Sequence, residues 1–442
     1  MATWYRRVFL LAIPLILSNL TQPLLSTVDT VLSGHLPGAA ALGGVAMGGI
    51  FFNGIFWTFG FLRMATTGLV AQAHGARDEA SLRLHFWRGM VSAAAIGALI
   101  VLVRCPLIAG SLSLLSASGA VRQNALVYCD IRIWSAPAAL ANYVVLGFLL
   151  GRQHARMALA LQAAVNVVNV AVALTLVVAL HWGVTGIATA TFSADWAGLI
   201  VGLMLIAAVW PRAAGQQINW REIADGPGWR HLFALNRDLF LRTISLVAAY
   251  GWFTRTGARA GDATLAANAV LLNLHWISTY ALDGFANATE ALVGEAVGAR
   301  RVEDYRAILK ASTVSAGAVA AALSLLFVFA GSSLVGLFTN QAAVRVLALR
   351  YLPWAMVLPL VSVWGYQMDG VFIGATRARE LRDSMVIAFL GYLALALVLG
   401  RVMGNNGLWC AFCCFMILRG SLLAARLPRV QAIFASEAPA TV

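Results

Sequence analysis

The residues best suited to chemistry are acids and amides set in segments otherwise too apolar to hold them. Asn19, Gln22, Ser26, Asp29 and Ser33 recur at spacings of three and four, which puts all five on one helical face. A second stripe runs Asn273, Trp276, Tyr280, Asp283, Asn287 and Glu290, mixing two acids with two aromatics. Carboxylates and aromatic faces both attract positive charge, so this stripe suits a bulky organic cation and the first a smaller one. Trp276 and Tyr280 fit equally well as packing residues. Asp369, on a face with Ser362 and Tyr366, gives the second half a third acid. In the first half Asn169, Thr191 and Asp195 join Asp29, and Thr191 and Asp195 share a face four residues apart. Asp195 sits either deep in its lobe or nearer solvent. An acid at a bilayer centre costs roughly 2.5–3.5 kcal/mol on insertion scales, so each needs a reason. Such a face lines a water-filled cavity or locks two helices together by hydrogen bonds. Arg63 and Arg242 lie equally deep, where either neutralises a neighbouring acid, or Arg63 snorkels. His275 is the only histidine well inside a helix, a position that more often satisfies a local hydrogen bond than relays protons.

These groups need membrane-spanning elements to hold them. Of 442 residues 61% are hydrophobic and 11% charged, whereas about a quarter of an ordinary soluble domain is charged. The chain is therefore expected to be an integral membrane protein. A spanning helix needs about 20 apolar residues, which predicts about twelve, near 8–33, 42–71, 87–109, 125–150, 157–180, 184–209, 232–257, 264–294, 307–330, 348–373, 382–402 and 407–426. The net charge of +13 is almost all arginine and falls between apolar runs. There it orients helices rather than binding nucleic acid. The arginine-rich loops (Arg6/Arg7, Arg77/Arg83/Arg88, Arg152/Arg156, Arg212/Arg221/Arg230, Arg300/Arg301/Arg306, Arg377/Arg379/Arg382, Arg426/Arg429) fall on one side, which predicts a bacterial inner-membrane protein with both termini cytoplasmic. The run after Arg6-Arg7 is too long for a cleaved signal and lacks a small-residue cleavage site. Cys410, Cys413 and Cys414 lie in a helix-length apolar run with no histidine nearby, which favours packing over a metal site.

The chain also repeats itself. Residues 66–77 read TTGLVAQAHGAR and 289–300 read TEALVGEAVGAR, an offset of 223 (298 − 75) that also takes Gly34 to Gly257, Leu42 to Leu265 and Gly151 to Gly374. One register over so long a stretch implies duplication into a lobe over 1–210, a cytoplasmic linker over 211–231 and a lobe over 232–442. Six helices per lobe make the copies parallel, an arrangement typical of alternating-access carriers. HExxH, GxSxG, Walker A and dinucleotide motifs are missing, which argues against an enzyme and against nucleotide-driven transport. An ion gradient must then supply the energy, at about 2.3 kcal/mol per charge per 100 mV, and buried acids can take up and release the ion.

The stretches IPLILSNLTQPLLSTVDTVLSGHL, LRMATTGLVAQAHGAR, FALNRDLFLR, YALDGFANATEALVGEAVGAR and MDGVFIGATRARELRDSM resemble the multidrug and toxic compound extrusion (MATE) family, closest to its DNA-damage-inducible F branch. The resemblance covers nearly the whole chain. It implies an all-α membrane protein, two pseudo-symmetric six-helix bundles in a V, a central cavity, and export of small organic cations or amphiphiles against inward protons or sodium. It also implies a monomer with no bound cofactor. Carried over, the family's first-lobe cation site takes in Asp29, Asn169 and Thr191, and its second-lobe acids are Asp283, Glu290 and Asp369. Many relatives place an acid one turn beyond the asparagine, where this chain has Ala173, so Asp195 is the candidate replacement and protons are favoured over sodium. A major-facilitator carrier is disfavoured because its loop motif is missing from 72–88, and no catalytic acid or histidine marks a membrane-embedded transferase. A lipid-linked sugar flippase of the same superfamily is the remaining alternative, disfavoured because the deep charges are mostly acids.

Overall fold

A computed structural model describes residues 2–36, 38–114, 119–210 and 220–435, and all regular structure among them is helical. Twelve long segments account for most of it. They are α1 (Ala2–Gly34), α2 (Ala39–Gly75), α3 (Glu79–Leu102), α4 (Gly119–Gly151), α5 (Ala155–Ala179), α6 (Gly183–Val209), α7 (Gly226–Arg259), α8 (Asp262–Gly298), α9 (Val302–Phe338), α10 (Ala342–Gly374), α11 (Ala378–Met403) and α12 (Asn405–Ala424). Among the described residues nine helical segments are long and apolar enough to span a bilayer by composition alone. α1, α7 and α8, at 33, 34 and 37 residues, have the length to do so. Leu102, Phe329, Leu337 and Val402 are each more than three-quarters exposed. Hydrocarbon tolerates such side chains, so this is a multi-pass membrane protein.

The helices generally run past the apolar windows predicted for them, because capped and charged turns extend them into the polar zone. Asp78 precedes α3, and its carboxylate accepts from Ser81 N at 3.0 Å and Ser81 Oγ at 2.6 Å. Those bonds hold the Asp78 carboxyl below its usual range. The 211–231 stretch read as a linker is partly helical: Trp220–Ile223 forms one turn, and α7 already begins at Gly226. Arg88 on α3 secures that turn, donating to the carbonyls of Glu222 at 2.6 Å and Ile223 at 3.2 Å.

Two compact units emerge. One joins Leu20–Val70 to Asp78–His231; the other joins Met1–Asn19 and Ala71–Arg77 to Leu232–Val442. α1 thus contributes its first part to one unit and its second part to the other. In the unit holding the second half of the chain, Phe253, Leu274, Tyr392, Trp409, Phe412 and Phe415 form the centre of a large apolar core.

The 223-residue register is written into the backbone. Left-handed φ angles occur in matched pairs at that spacing: Gly38 (90°) with Gly261 (106°), Arg77 (56°) with Arg300 (55°), Gln153 (63°) with Thr376 (53°), and His181 (55°) with Gly404 (56°). Side chains rarely adopt this region, so the recurrence reflects inherited helix ends rather than chance. Close approaches repeat too. A methyl on Gly147 would strike the Arg63 carbonyl and one on Gly370 the Ala286 carbonyl. Arg63 and Ala286 are themselves 223 apart. Within the second unit the two repeats cross: Gly75 packs on the Glu295 carbonyl and Gly298 on that of Gln72. Backbone cannot yield as a side chain can, so Gly75→Ala and Gly298→Ala should each destabilise the protein by roughly 1–3 kcal/mol. Thermal melting of detergent-purified protein should show a lowered Tm for both and none for Gly317→Ala, which has nothing within 4 Å of its added methyl.

Candidate functional site

In the unit built from Leu20–Val70 and Asp78–His231, side chains from α4, α5 and α6 gather around Asp29 of α1. The carboxylate is buried, and its Oδ2 accepts from Tyr128 Oη at 3.2 Å and lies 3.4 Å from Thr191 Oγ1. Asn169, fully buried on α5, donates from Nδ2 to Thr191 Oγ1 at 3.1 Å. Asp29 Oδ1 and Asn169 Oδ1 are both buried with no partner among the described residues. Asp195 joins the cluster from α6, half-buried, with Oδ2 accepting from Ser135 Oγ at 2.7 Å. Asn142 on α4 donates to the Asp195 backbone carbonyl at 2.8 Å.

α4 is shaped for this work. Its helix stops at Arg132, passes through a 3-10 turn over Ile133–Ser135 and restarts with Pro137 in its first turn. Tyr128 and Arg132, four apart on the helix before the break, and Ser135 in the turn lie on the approach to the two carboxylates. Arg132 Nη1 donates to Tyr128 Oη at 2.7 Å, so the guanidinium reaches Asp29 through the phenol. Its Cζ lies 4.7 Å from the Phe52 ring centroid, 5.6 Å from that of Tyr128 and 6.0 Å from that of Phe56. Such contacts are worth about 2 kcal/mol when desolvated. Gly48 on α2 makes room, since any side chain there would strike the Tyr128 ring.

The other unit holds a different arrangement. Asp369 on α10 is buried, and its Oδ2 accepts from both Arg242 Nη2 on α7 and Arg419 Nη2 on α12. Arg419 also lies 5.1 Å from the Tyr366 ring centroid. Gly365 lets it pass: a methyl there would sit 2.9 Å from Arg419 Nε. Around this pair of ion pairs Tyr366 Oη meets Thr279 Oγ1 at 2.8 Å, Tyr250 Oη meets His275 Nε2 at 2.9 Å, and Thr289 Oγ1 meets Gln367 Oε1 at 3.0 Å. The α8 stripe grades from exposed at Asn273, through half-buried at Trp276, Tyr280, Asp283 and Asn287, to buried at Glu290. Trp276 stacks on Tyr250 at 4.9 Å, and the Tyr280 carbonyl accepts from Asn19 Nδ2 at 3.2 Å.

The structure thus gathers Asp29, Asn169, Thr191 and Asp195 into one cluster and binds Arg242 to Asp369. Asp283 and Asp369 lie on different helices, and Tyr366 feels the charge of both. Arg63 is half-buried on α2 in the first unit. The side chains of Gln22 and Ser26 lie outside the described residues. Sequence reasoning missed Tyr128, Arg132 and Arg419. The two arginines carried a usable signal, a full charge inside an apolar span, the same cost that singled out the acids. Tyr128 carried none, because a phenol is at home in a membrane helix.

Asp369 shared between two arginines is a structural acid as much as a binding one. Asp369→Asn leaves two buried guanidinium groups undercompensated and should cost roughly 3–5 kcal/mol of stability. Asp283→Asn, at a half-buried site, should leave the Tm within a few degrees of wild type. Equal Tm losses in the two variants would contradict the distinction.

Comparison with known proteins agrees with this architecture. The family model described as MatE matches residues 14–175 and 245–402. DNA damage-inducible protein F of Escherichia coli (strain K12) is 42% identical over 415 residues, covering 94% of this chain and 90% of that protein. A probable multidrug resistance protein NorM of Idiomarina loihiensis is 23% identical over 95% of this chain and 92% of its own. Among solved structures, a MATE in the bent conformation superposes with a TM-score of 0.89 at 18% identity, covering 98% of this chain and 97% of its own. With well over half its length matched by the family model and a relative above 40% identity, the chain belongs to the MATE family of multidrug and toxic compound efflux transporters.

Proposed function

We propose that the chain exports cationic or amphipathic organic compounds by antiport with protons, using alternating access of its two lobes, and that Asp29 is the carboxylate that takes the proton. The observation that carries this reading is Asp29 itself. One carboxylate oxygen is held by Tyr128 and lies beside Thr191, while Oδ1 is buried without a partner among the described residues. A buried carboxylate held by neutral donors rather than by direct ion pairs is poised for a proton.

Protonation removes one negative charge from the cluster and weakens Asp29 as an acceptor for Tyr128. The second part of α1 then repacks and cargo is released outward; deprotonation toward the cytoplasm resets the carrier. The absence of a second carboxylate on α5, where Ala173 stands fully buried, favours protons over sodium. For cargo, the half-buried face bearing Trp276, Tyr280 and Asp283 suits an aromatic or alkylated cation, and relatives named for multidrug resistance point the same way. Of the deep arginines that a pyrophosphate-linked lipid would seek, Arg242 and Arg419 are committed to Asp369 and Arg132 to Tyr128, which disfavours a flippase. The arginine-rich loops support cytoplasmic termini in the bacterial inner membrane, where the chain acts as a monomer.

Asp29→Asn should abolish growth on ethidium or a fluoroquinolone in an efflux-deficient host while leaving membrane yield unchanged. Full efflux by that variant in proton-loaded vesicles would refute Asp29 as the proton acceptor. With wild type, replacing sodium by choline at fixed pH should leave the rate intact, and a collapse would make sodium the coupling ion.

A further inference from the structure

The half-buried arginine one phenol away from Asp29 has no part in the reading above. Arg132 stands between two carboxylates: it bonds Tyr128, which bonds Asp29, and its own carbonyl accepts from Ser135, which also bonds Asp195. Its charge acts on both acids. Three aromatic rings and the close approach of Gly48 to Tyr128 keep it in place. We infer that Arg132 is a tethered cation that sets ion selectivity, filling the electrostatic role a metal ion would otherwise play at Asp29, so that Na+ is rejected and the proton is the ion left to exchange. This rests on the proton-antiport reading and deepens it.

Charge and ligand count lead to the same result. With both carboxylates ionised, Asp29, Asp195 and Arg132 together carry one net negative charge, which a single proton neutralises. A metal ion must replace its hydration shell with several oxygens. Among the described residues, the buried carboxylate and amide oxygens left without partners here are Asp29 Oδ1, Asn169 Oδ1 and, beside Asp195, Asn142 Oδ1, while Asp29 Oδ2 and Asp195 Oδ2 already accept hydrogen bonds. Ala173, one turn beyond Asn169, adds only a buried methyl. A metal ion would also face the guanidinium across one phenol oxygen, whereas a proton needs a single acceptor and no shell. Arg132 is thus a selectivity residue acting through Tyr128 and the field it imposes, without itself carrying the transported ion.

Radiolabelled Na+ binding to the purified full chain in nanodiscs, paired with ethidium export from proteoliposomes in sodium or choline, tests this. Wild type should retain no Na+ that Asp29→Asn abolishes. Arg132→Gln should bind Na+ at least about tenfold more tightly, lose that binding when Asp29→Asn is added, and export faster in sodium than in choline. Arg132→Lys, which keeps the charge, should behave as wild type toward Na+. Arg132→Gln protein that is monodisperse yet gains no Asp29-dependent Na+ binding overturns the inference while leaving proton antiport standing. Asp29-dependent Na+ binding by wild type overturns it too, and needs no variant of Arg132 to fold. Collapse of wild-type export in choline is a separate result, which strikes the proton reading itself.

Discussion

The cost of charge in hydrocarbon governs this molecule. An acid buried in a spanning helix must be paired, bonded or protonated, and both units answer with arginine. In one, Asp369 is clasped by Arg242 and Arg419. In the other, Arg132 reaches Asp29 through the Tyr128 phenol, and its charge also acts on Asp195. Neither cluster forms unless the helices approach closely, and glycine permits that: Gly365 beside Arg419, Gly48 beside Tyr128. Charge compensation and small residues are therefore one design element.

The same economy separates the two units chemically. Direct ion pairs to two arginines leave Asp369 strongly committed, which suits a fixed anchor in the wall of a binding region. Asp29 is held by weaker neutral donors, Tyr128 and Thr191, which suits a group that must change its protonation state during a cycle. A common ancestral half supplied the helices and their ends, as the matched left-handed residues record. Divergence placed an acid clasped by two arginines in one unit and an acid held by neutral donors in the other.

Much of the fold was legible from the chain alone, for reasons visible in particular segments. Apolar runs of spanning length located twelve helices, because a lipid-facing backbone has no other way to satisfy its hydrogen bonds. The ends were less legible. Turns such as Asp78–Ser81 are held by capping bonds that hydropathy does not register. The same holds for the 211–231 stretch, polar enough to read as a linker, whose helical turn depends on Arg88 from a distant helix.

For the functional groups the division is sharper. Composition and spacing by themselves determined that acids lay inside the membrane, that Asp29 sat on a polar face, that Thr191 and Asp195 shared another, and that the halves repeat at 223 residues. These are local properties: helical periodicity and the price of a buried charge are readable one segment at a time. Tertiary structure alone decided which charges meet. Arg242 was open between several acids until α7 met α10, and Arg132 and Arg419, though costly charges inside apolar spans, had no readable partner until α4 and α12 carried them to Tyr128 and Asp369. Pairing is a property of helices far apart in sequence, and no spacing rule within one helix can encode it.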